Sequence, residues 1–384
     1  MTIERAEVIR VLSDLVRIES VNPELVPGGS GEAAIARYVA DFLKAAGLEV
    51  RLQEAAPSRF NALGFLRGRA GGQTLMLNGH LDTVGVAGMA EPFSARVENG
   101  RLYGRGAQDM KGGLAAALVA VQELVRGPAL KGDLVVAAVA DEEYKSAGTR
   151  AVLREGLKAN AAIVLEPTGL EIATAHKGFA WAEIETEGRA AHGSRPEEGV
   201  DAIAHMGRVL GEVEELQKRL EAGPRHPLLG CGSVHTSLIT GGQELSSYPA
   251  RCRLSVERRL LPGEDGPTFE CELSEILTQL SSQDPQFHAR LSPGYSARAL
   301  ESSRDSRIAR TLAECTRNVL EREASFGATT FWTDTALLEE AGIPSVVFGP
   351  GGEGLHSGAE FVRLDEVVYA AEVLVDCARA FCGA

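Results

Sequence analysis

Short, almost unbroken apolar runs alternate along the chain with longer stretches of helical period. The runs are TLML (74–77), LVVAAVA (134–140), AAIVL (161–165) and SVVF (345–348). Stretches such as GLAAALVAVQELV and SAGTRAVLREGL lie between them. A strand with no polar face has to be covered on both sides. The pattern therefore predicts a sheet with helices packed against both faces. At the start of the chain, amphipathic helices are predicted over 2–18 and 31–46, joined by VNPELVPGGSGE.

The pattern changes in the middle. From 178 to 293 it predicts a strand (FAWAEIETEG), a helix (GVDAIAHMGRVLGEVEELQKRL), two strands (SVHTSLITGG and ARCRLSVERRL), a helix (PTFECELSEILTQL) and a strand (QFHARLS). That order, βαββαβ, is the split α+β sandwich of ferredoxin-like domains. SPGYSARAL then leads back to helix, strand and helix. The expected organisation is a larger α/β domain of residues 1–177 and 294–384, interrupted by a smaller one at 178–293.

Composition narrows the function. The chain has 384 residues, 44% of them apolar, enough for a sizeable core, and a formal net charge of -14. That charge argues against nucleic-acid or anionic-membrane partners, both of which need a basic surface. No run approaches the ~20 apolar residues of a membrane span, and the N-terminal stretch mixes charges at helical spacing, unlike a signal peptide. Cys231, Cys252, Cys271, Cys315, Cys377 and Cys382 are scattered, with no CxxC pair. They read as buried free thiols of a cytoplasmic protein.

The candidate chemistry sits in five places: HLD (His80, Asp82), GRGAQDMKGG (Asp109), ADEE (Glu142, Glu143), VLEPTG (Glu166) and GPGGEGLH (His356). Four of the five follow predicted strands, where ligand sites form in open α/β sheets. The Gly-rich loop is no phosphate loop, because Lys111 precedes its glycine pair. Two histidines and several carboxylates without sulfur suit zinc, with cobalt or manganese as alternatives. Five ligands exceed one tetrahedral ion with an open position. They suit two ions sharing one carboxylate, with one acid left over as a general base. Adjacent Glu142 and Glu143 point in different directions on an extended chain, so one can bind metal while the other faces a water. His80 and Asp82, two apart, point the same way.

Taken in order, HLD, GRGAQDMKGG, ADEE, VLEPTG, GRAAHGSRP and GPGGEGLH resemble the dinuclear zinc amidohydrolases. That family includes acetylornithine deacetylase, succinyl-diaminopimelate desuccinylase, aminoacylase and glutamate carboxypeptidase. The resemblance covers nearly the whole chain. It implies a mixed-sheet zinc-peptidase-like catalytic domain whose insert is a dimerisation or lid domain. It implies that His80, Asp109 and Glu166 hold one metal, and that Asp109, Glu143 and His356 hold the other. Asp82 would orient His80, and Glu142 would activate a metal-bridging water. The peptide bond after Asp109 would be cis. His192, in the insert, would stabilise the oxyanion in the partner subunit of a homodimer. Arg259, followed by LLPG, would meet the substrate carboxylate, with Lys177 a weaker candidate.

The chain departs from the family's pattern at Ser246 and Asp201, where relatives often carry asparagine; that affects the substrate pocket and not the hydrolytic machinery. Asp334, in FWTDTALLEEAGIP, lies in a segment that resembles a substrate-contacting one. The expected activity is hydrolysis of an N-acyl amino acid or a related short amide. A dipeptidase or glutamate carboxypeptidase-like activity is the close alternative. A non-catalytic binding protein on the same scaffold would have no need of Glu142, and a nucleotide-binding α/β protein would carry GxGxxG after its first strand.

Overall fold

The computed structural model describes residues 3–86 and 88–383. Contacts divide the chain into two compact units. One runs up to Thr174 and includes Ser302–Gly327 and the chain from Thr333 onward; the other comprises Ala175–Glu301 and Ala328–Trp332.

At the centre of the first unit are four mutually parallel strands: Leu134–Val139, Leu75–His80, Ala161–Val164 and Ser345–Val347, in that spatial order. These are the four apolar runs. Successive side chains of a strand point to opposite faces, and both faces are covered. Leu75, Leu77, Leu134, Val136 and Ala138 join a core with the helices Arg5–Arg17, Ala33–Ala45, Gly112–Arg126, Arg307–Leu320 and Leu364–Cys382. Met76, Val135, Ala137 and Val139 point the other way, into a second core with Val152, Leu338 and Ile343. Unbroken apolarity is thus what a doubly covered strand requires.

The sheet is mixed. The hairpin Glu49–Ala56 and Arg59–Leu66 extends one side antiparallel, and Ile172–His176 extends the other. The sequence reading missed this hairpin. Its outer strand, EVRLQEAA, buries only Gln53, so an edge position leaves no apolar alternation to find. Leu75–His80 is also longer than the TLML run, because Asn78, Gly79 and His80 continue the strand fully buried.

The second unit has the expected βαββαβ order. Its antiparallel sheet runs Ser233–Gly241, Arg251–Leu260, Gly178–Glu187, His288–Ala297. Helices Ala202–Ala222 and Gly266–Gln283 share a core with it that includes Ile184, Val209, Leu254, Phe269 and Leu273. Among the described residues no helix is long and apolar enough to cross a membrane. Four of the cysteines are buried; Cys271 is exposed and Cys231 half-buried, which corrects the expectation that all lie inside.

Candidate metal centre

All four parallel strands end at one place, and each delivers a polar group there. His80 ends its strand, and Glu142 and Glu143 follow Leu134–Val139. Glu166 follows Ala161–Val164, and His356 lies beyond Ser345–Val347. Asp109 comes from the irregular turn before helix Gly112–Arg126, and the Asp109–Met110 bond is cis, as the resemblance implies.

Asp109 stands between the two histidines. Its Oδ1 lies 2.9 Å from His80 Nε2, and its Oδ2 lies 3.3 Å from His356 Nε2. Glu166 Oε1 is 3.8 Å from His80 Nε2, and Glu143 Oε2 is 3.2 Å from His356 Nε2. One carboxylate therefore offers each oxygen to a different histidine, and a further acid flanks each pair. Ligand atoms that approach within 4.8 Å of one another also form the sets His80–Asp109–Glu143 and His80–Glu142–Glu166. Glu142 Oε2 lies 3.9 Å from His80 Nε2, almost as near as Glu166. Proximity to His80 thus leaves either Glu142 or Glu166 as its second carboxylate. The short contact to His356 singles out Glu143 as the acid of the other pair.

The electrostatics fit cations. Burial, and then the charge of Glu166, push Glu142 well above the ordinary carboxylate range. Burial and the charge of Asp109 do the same to Glu166. Burial alone would lower His80, but its hydrogen bond with Asp109 and the charges of Glu166 and Glu142 carry it well above its usual value. Hydrogen bonds with Asp109 and Glu143 raise His356 to about 10. Against the cost of burial, the two histidines hold Asp109 well below the carboxylate range. By the protein's own groups alone, then, charged imidazoles balance crowded carboxylates. Four acids and two histidines converging with N and O donors are a donor set for two divalent ions.

The support beneath the site differs from the expectation at Asp82. His80 Nδ1 is 2.9 Å from the Asp82 carbonyl oxygen, and its carboxylate is farther away, at 3.7 Å. The orienting contact runs through the backbone. The carboxylate accepts from Glu142 N at 3.1 Å, Glu143 N at 3.2 Å and Asn22 Nδ2 at 2.7 Å. Asp82 thus orients the ADEE turn as well as the imidazole. Burial pushes the Asp82 carboxyl up to about 7 against the pull of His80, with the charges of Glu32 and Glu143 adding to the rise. Asn22 also donates to Asp141 Oδ1 at 3.1 Å, and Asp141 and Glu32 both pair with buried Arg59. Nothing in the sequence singled out Asn22, Glu32 or Arg59, because their partners lie far along the chain. Asp334 is buried and accepts from Thr149 Oγ1 at 2.6 Å.

The remaining candidates belong to the second unit. His192 is exposed and bridged to Ser247 just before a turn, its Nδ1 2.8 Å from Ser194 Oγ. Ser246 is exposed, and its carbonyl accepts from Gly193 N at 2.7 Å. Arg259 pairs with Glu257 at 2.7 Å, and Lys177 Nζ donates to the Cys231 carbonyl at 2.6 Å. Both cations thus have partners within their own unit. Asp201 caps helix Ala202–Ala222, accepting from Ile203 N and Ala204 N.

The model of peptidase family M20/M25/M40 matches residues 76–380. An acetylornithine deacetylase of Myxococcus xanthus is 33% identical over 359 residues, covering 90% of this chain and 91% of the relative. Among solved structures, a tripeptidase from Staphylococcus aureus superposes with a TM-score of 0.82 at 19% identity, over 100% of both chains. The Bacillus subtilis YXEP protein, described as a dinuclear metal-binding peptidase of the M20 family, gives a TM-score of 0.75 at 15% identity, over 98% of both.

Proposed function

The chain belongs to peptidase family M20/M25/M40, and from that premise we propose that it hydrolyses the amide bond of N-acyl amino acids with two divalent ions. The observation that carries this reading is the Asp109 carboxylate shared between His80 and His356, with an acid beside each histidine. His80, Asp109 and Glu166 would hold one ion; Asp109, Glu143 and His356 would hold the other. Zinc suits the donors best, with cobalt or manganese as alternatives. Bound there, the ions would polarise the scissile carbonyl and acidify water.

The chain's own residues would do the rest. Glu142, beside the ligands but not needed as one, would take a proton from the attacking water and pass it to the departing amine. The water oxygen bonds to the carbonyl carbon, the C–N bond breaks, and the proton ends on the amino acid's nitrogen. Asp82 would hold Glu142 and Glu143 by their backbone N–H groups. His192 would donate to the carbonyl oxygen as it gains charge. Arg259 would meet the substrate carboxylate by exchanging it for Glu257; Lys177 and Ser246 are weaker candidates for the same pocket.

Residues 178–293 are proposed as the dimerisation module and 1–177 with 294–384 as the catalytic domain of a cytoplasmic homodimer. Edge strand Ser233–Gly241 supports that assignment, because its Leu238 is 70% exposed and its Ile239 52%. The competing reading is a peptidase, either a dipeptidase or a glutamate carboxypeptidase-like enzyme, and the tripeptidase fold likeness supports a peptidase in general. A panel of N-acetyl, N-succinyl and N-formyl amino acids and dipeptides, each assayed with zinc, cobalt and manganese, separates the two. We expect at least one acyl amino acid to exceed every dipeptide in kcat/KM by about 10-fold, roughly 1.4 kcal/mol of transition-state binding. The reverse order would make the protein a peptidase.

A further inference from the structure

Two buried side chains outside the convergent donor set gather the loops of the metal centre. Glu360 and Arg105 are each 1% exposed. Glu360 Oε1 accepts from Gln108 N at 2.8 Å and from Asp109 N at 3.1 Å. Its Oε2 accepts from Gly106 N at 3.1 Å and from Arg105 Nη1 at 2.5 Å. Each carboxylate oxygen is thus filled by two donors, and three of the four donors are peptide N–H groups of the Asp109 loop. Arg105 is used as fully. Its Nη2 donates to the Ser357 carbonyl at 2.9 Å and its Nε to the Gly85 carbonyl at 2.9 Å. Ser357 follows His356 directly.

We propose that the Arg105–Glu360 pair is the positioning device of the metal centre: without ligating an ion, it fixes the backbone that carries Asp109 and ties it to the turn that carries His356. An ordinary buried ion pair does not account for this geometry. Such pairs are often replaceable by apolar residues at no loss of stability, since desolvation offsets their attraction. Here the carboxylate answers peptide groups that the turn leaves without helical partners, including the N–H of the shared ligand itself. Gly106 adopts φ +79°, and a Cβ there would meet Thr83 Cγ2 at 2.7 Å. The turn is therefore built close against its surroundings and oriented around one acceptor. Glu360 and His356 also lie four residues apart on one segment, so the pair links the shared carboxylate to one outer histidine.

The inference rests on the two-ion reading, and its test separates the two. Metal content and affinity are measured for the wild type, Glu360→Gln and Arg105→Lys by titration with zinc against a chelator. The visible spectrum of the cobalt-loaded proteins is recorded alongside. Glu360→Gln turns an NH2 group toward the peptide N–H donors. It should bind metal about 10- to 100-fold more weakly, with an altered cobalt spectrum and activity that recovers as metal is raised. Arg105→Lys cannot reach Glu360, Ser357 and Gly85 together and should shift both readouts in the same direction. A wild type that binds fewer than two ions overturns the two-ion reading. A wild type that binds two, with folded variants of unchanged affinity and spectrum, overturns the role of the pair alone. Amide exchange of segment 104–111 in the chelator-treated wild type needs no variant. Slow exchange there supports a loop held by Glu360. Fast exchange that slows only on adding zinc means the metal sets the loop, and the proposal fails.

Discussion

At the scale of single residues, the proposed function separates the groups that would hold ions from the one that would move a proton. Glu142 and Glu143 are neighbours, and Asp82 holds the N–H of both. Only Glu143 reaches His356, at 3.2 Å. Glu142→Ala should therefore keep two ions and lose about 10²- to 10⁴-fold in kcat, the usual worth of a positioned proton carrier. Glu143→Ala should lose metal first, and added metal should restore part of its activity. Elemental analysis beside steady-state kinetics checks this; swapped phenotypes would reverse the two roles. The side chains that converge here were legible in the sequence, because a histidine or acid at the end of an apolar run is conspicuous. Their supports were not. The Asn22–Asp82 contact spans 60 residues and the Arg105–Glu360 contact 255, and such pairs leave no local spacing. Even HLD misled in detail: two-residue alternation correctly placed His80 beside Asp82, but the atom that meets the imidazole is a backbone carbonyl, which no side-chain pattern encodes.

At the scale of elements, the centre depends on how closely helix Gly112–Arg126 approaches the segment that follows strand Ala161–Val164 and carries Glu166. Gly113 makes that approach possible. A Cβ on it would lie 2.0 Å from the Leu165 carbonyl oxygen, a backbone atom that cannot rotate away. Asp109 lies just before this helix and Glu166 just after Leu165, so the same contact sets the spacing between two of the proposed ligands. Gly113→Ala should cost about 1–3 kcal/mol of stability through overpacking. It should also weaken metal binding, although residue 113 touches no ion. Denaturant unfolding in chelator measures the first effect and metal titration the second; a stable variant of normal affinity would show that the helix can shift freely. The glycine pair was visible in the sequence as a turn signal, while its packing role depends on a strand some fifty residues onward. The outer strand of the missed hairpin was hidden for a local reason. Apolar runs reveal strands buried on both faces, and Glu49–Ala56 is an edge strand with one buried position.

At the scale of the whole molecule, the insertion was readable because its helices and strands change period together, from the doubly buried runs of the first unit to the half-buried alternation of Arg251–Leu260, buried at every second residue. What such a pattern cannot carry is which chain completes which site. His192 lies in the second unit and the proposed ligands in the first. Exposed Leu238 and Ile239 on an edge strand favour pairing of two copies, and two-fold pairs are the commonest oligomers. If His192 serves the partner's centre, Glu142→Ala and His192→Ala homodimers should each be nearly inactive, for different reasons. The first lacks the proton carrier at both sites, the second the donor to the carbonyl oxygen. Mixed and allowed to exchange subunits, they should form hybrids in which one site keeps its own Glu142 and receives an intact His192. With equal amounts and random pairing, half the dimers are hybrids with one working site of two, so activity should return to about a quarter of wild type. Exchange is followed independently with differently tagged chains. Hybrids that form without recovering activity would mean that His192 acts within its own chain or takes no part in the reaction.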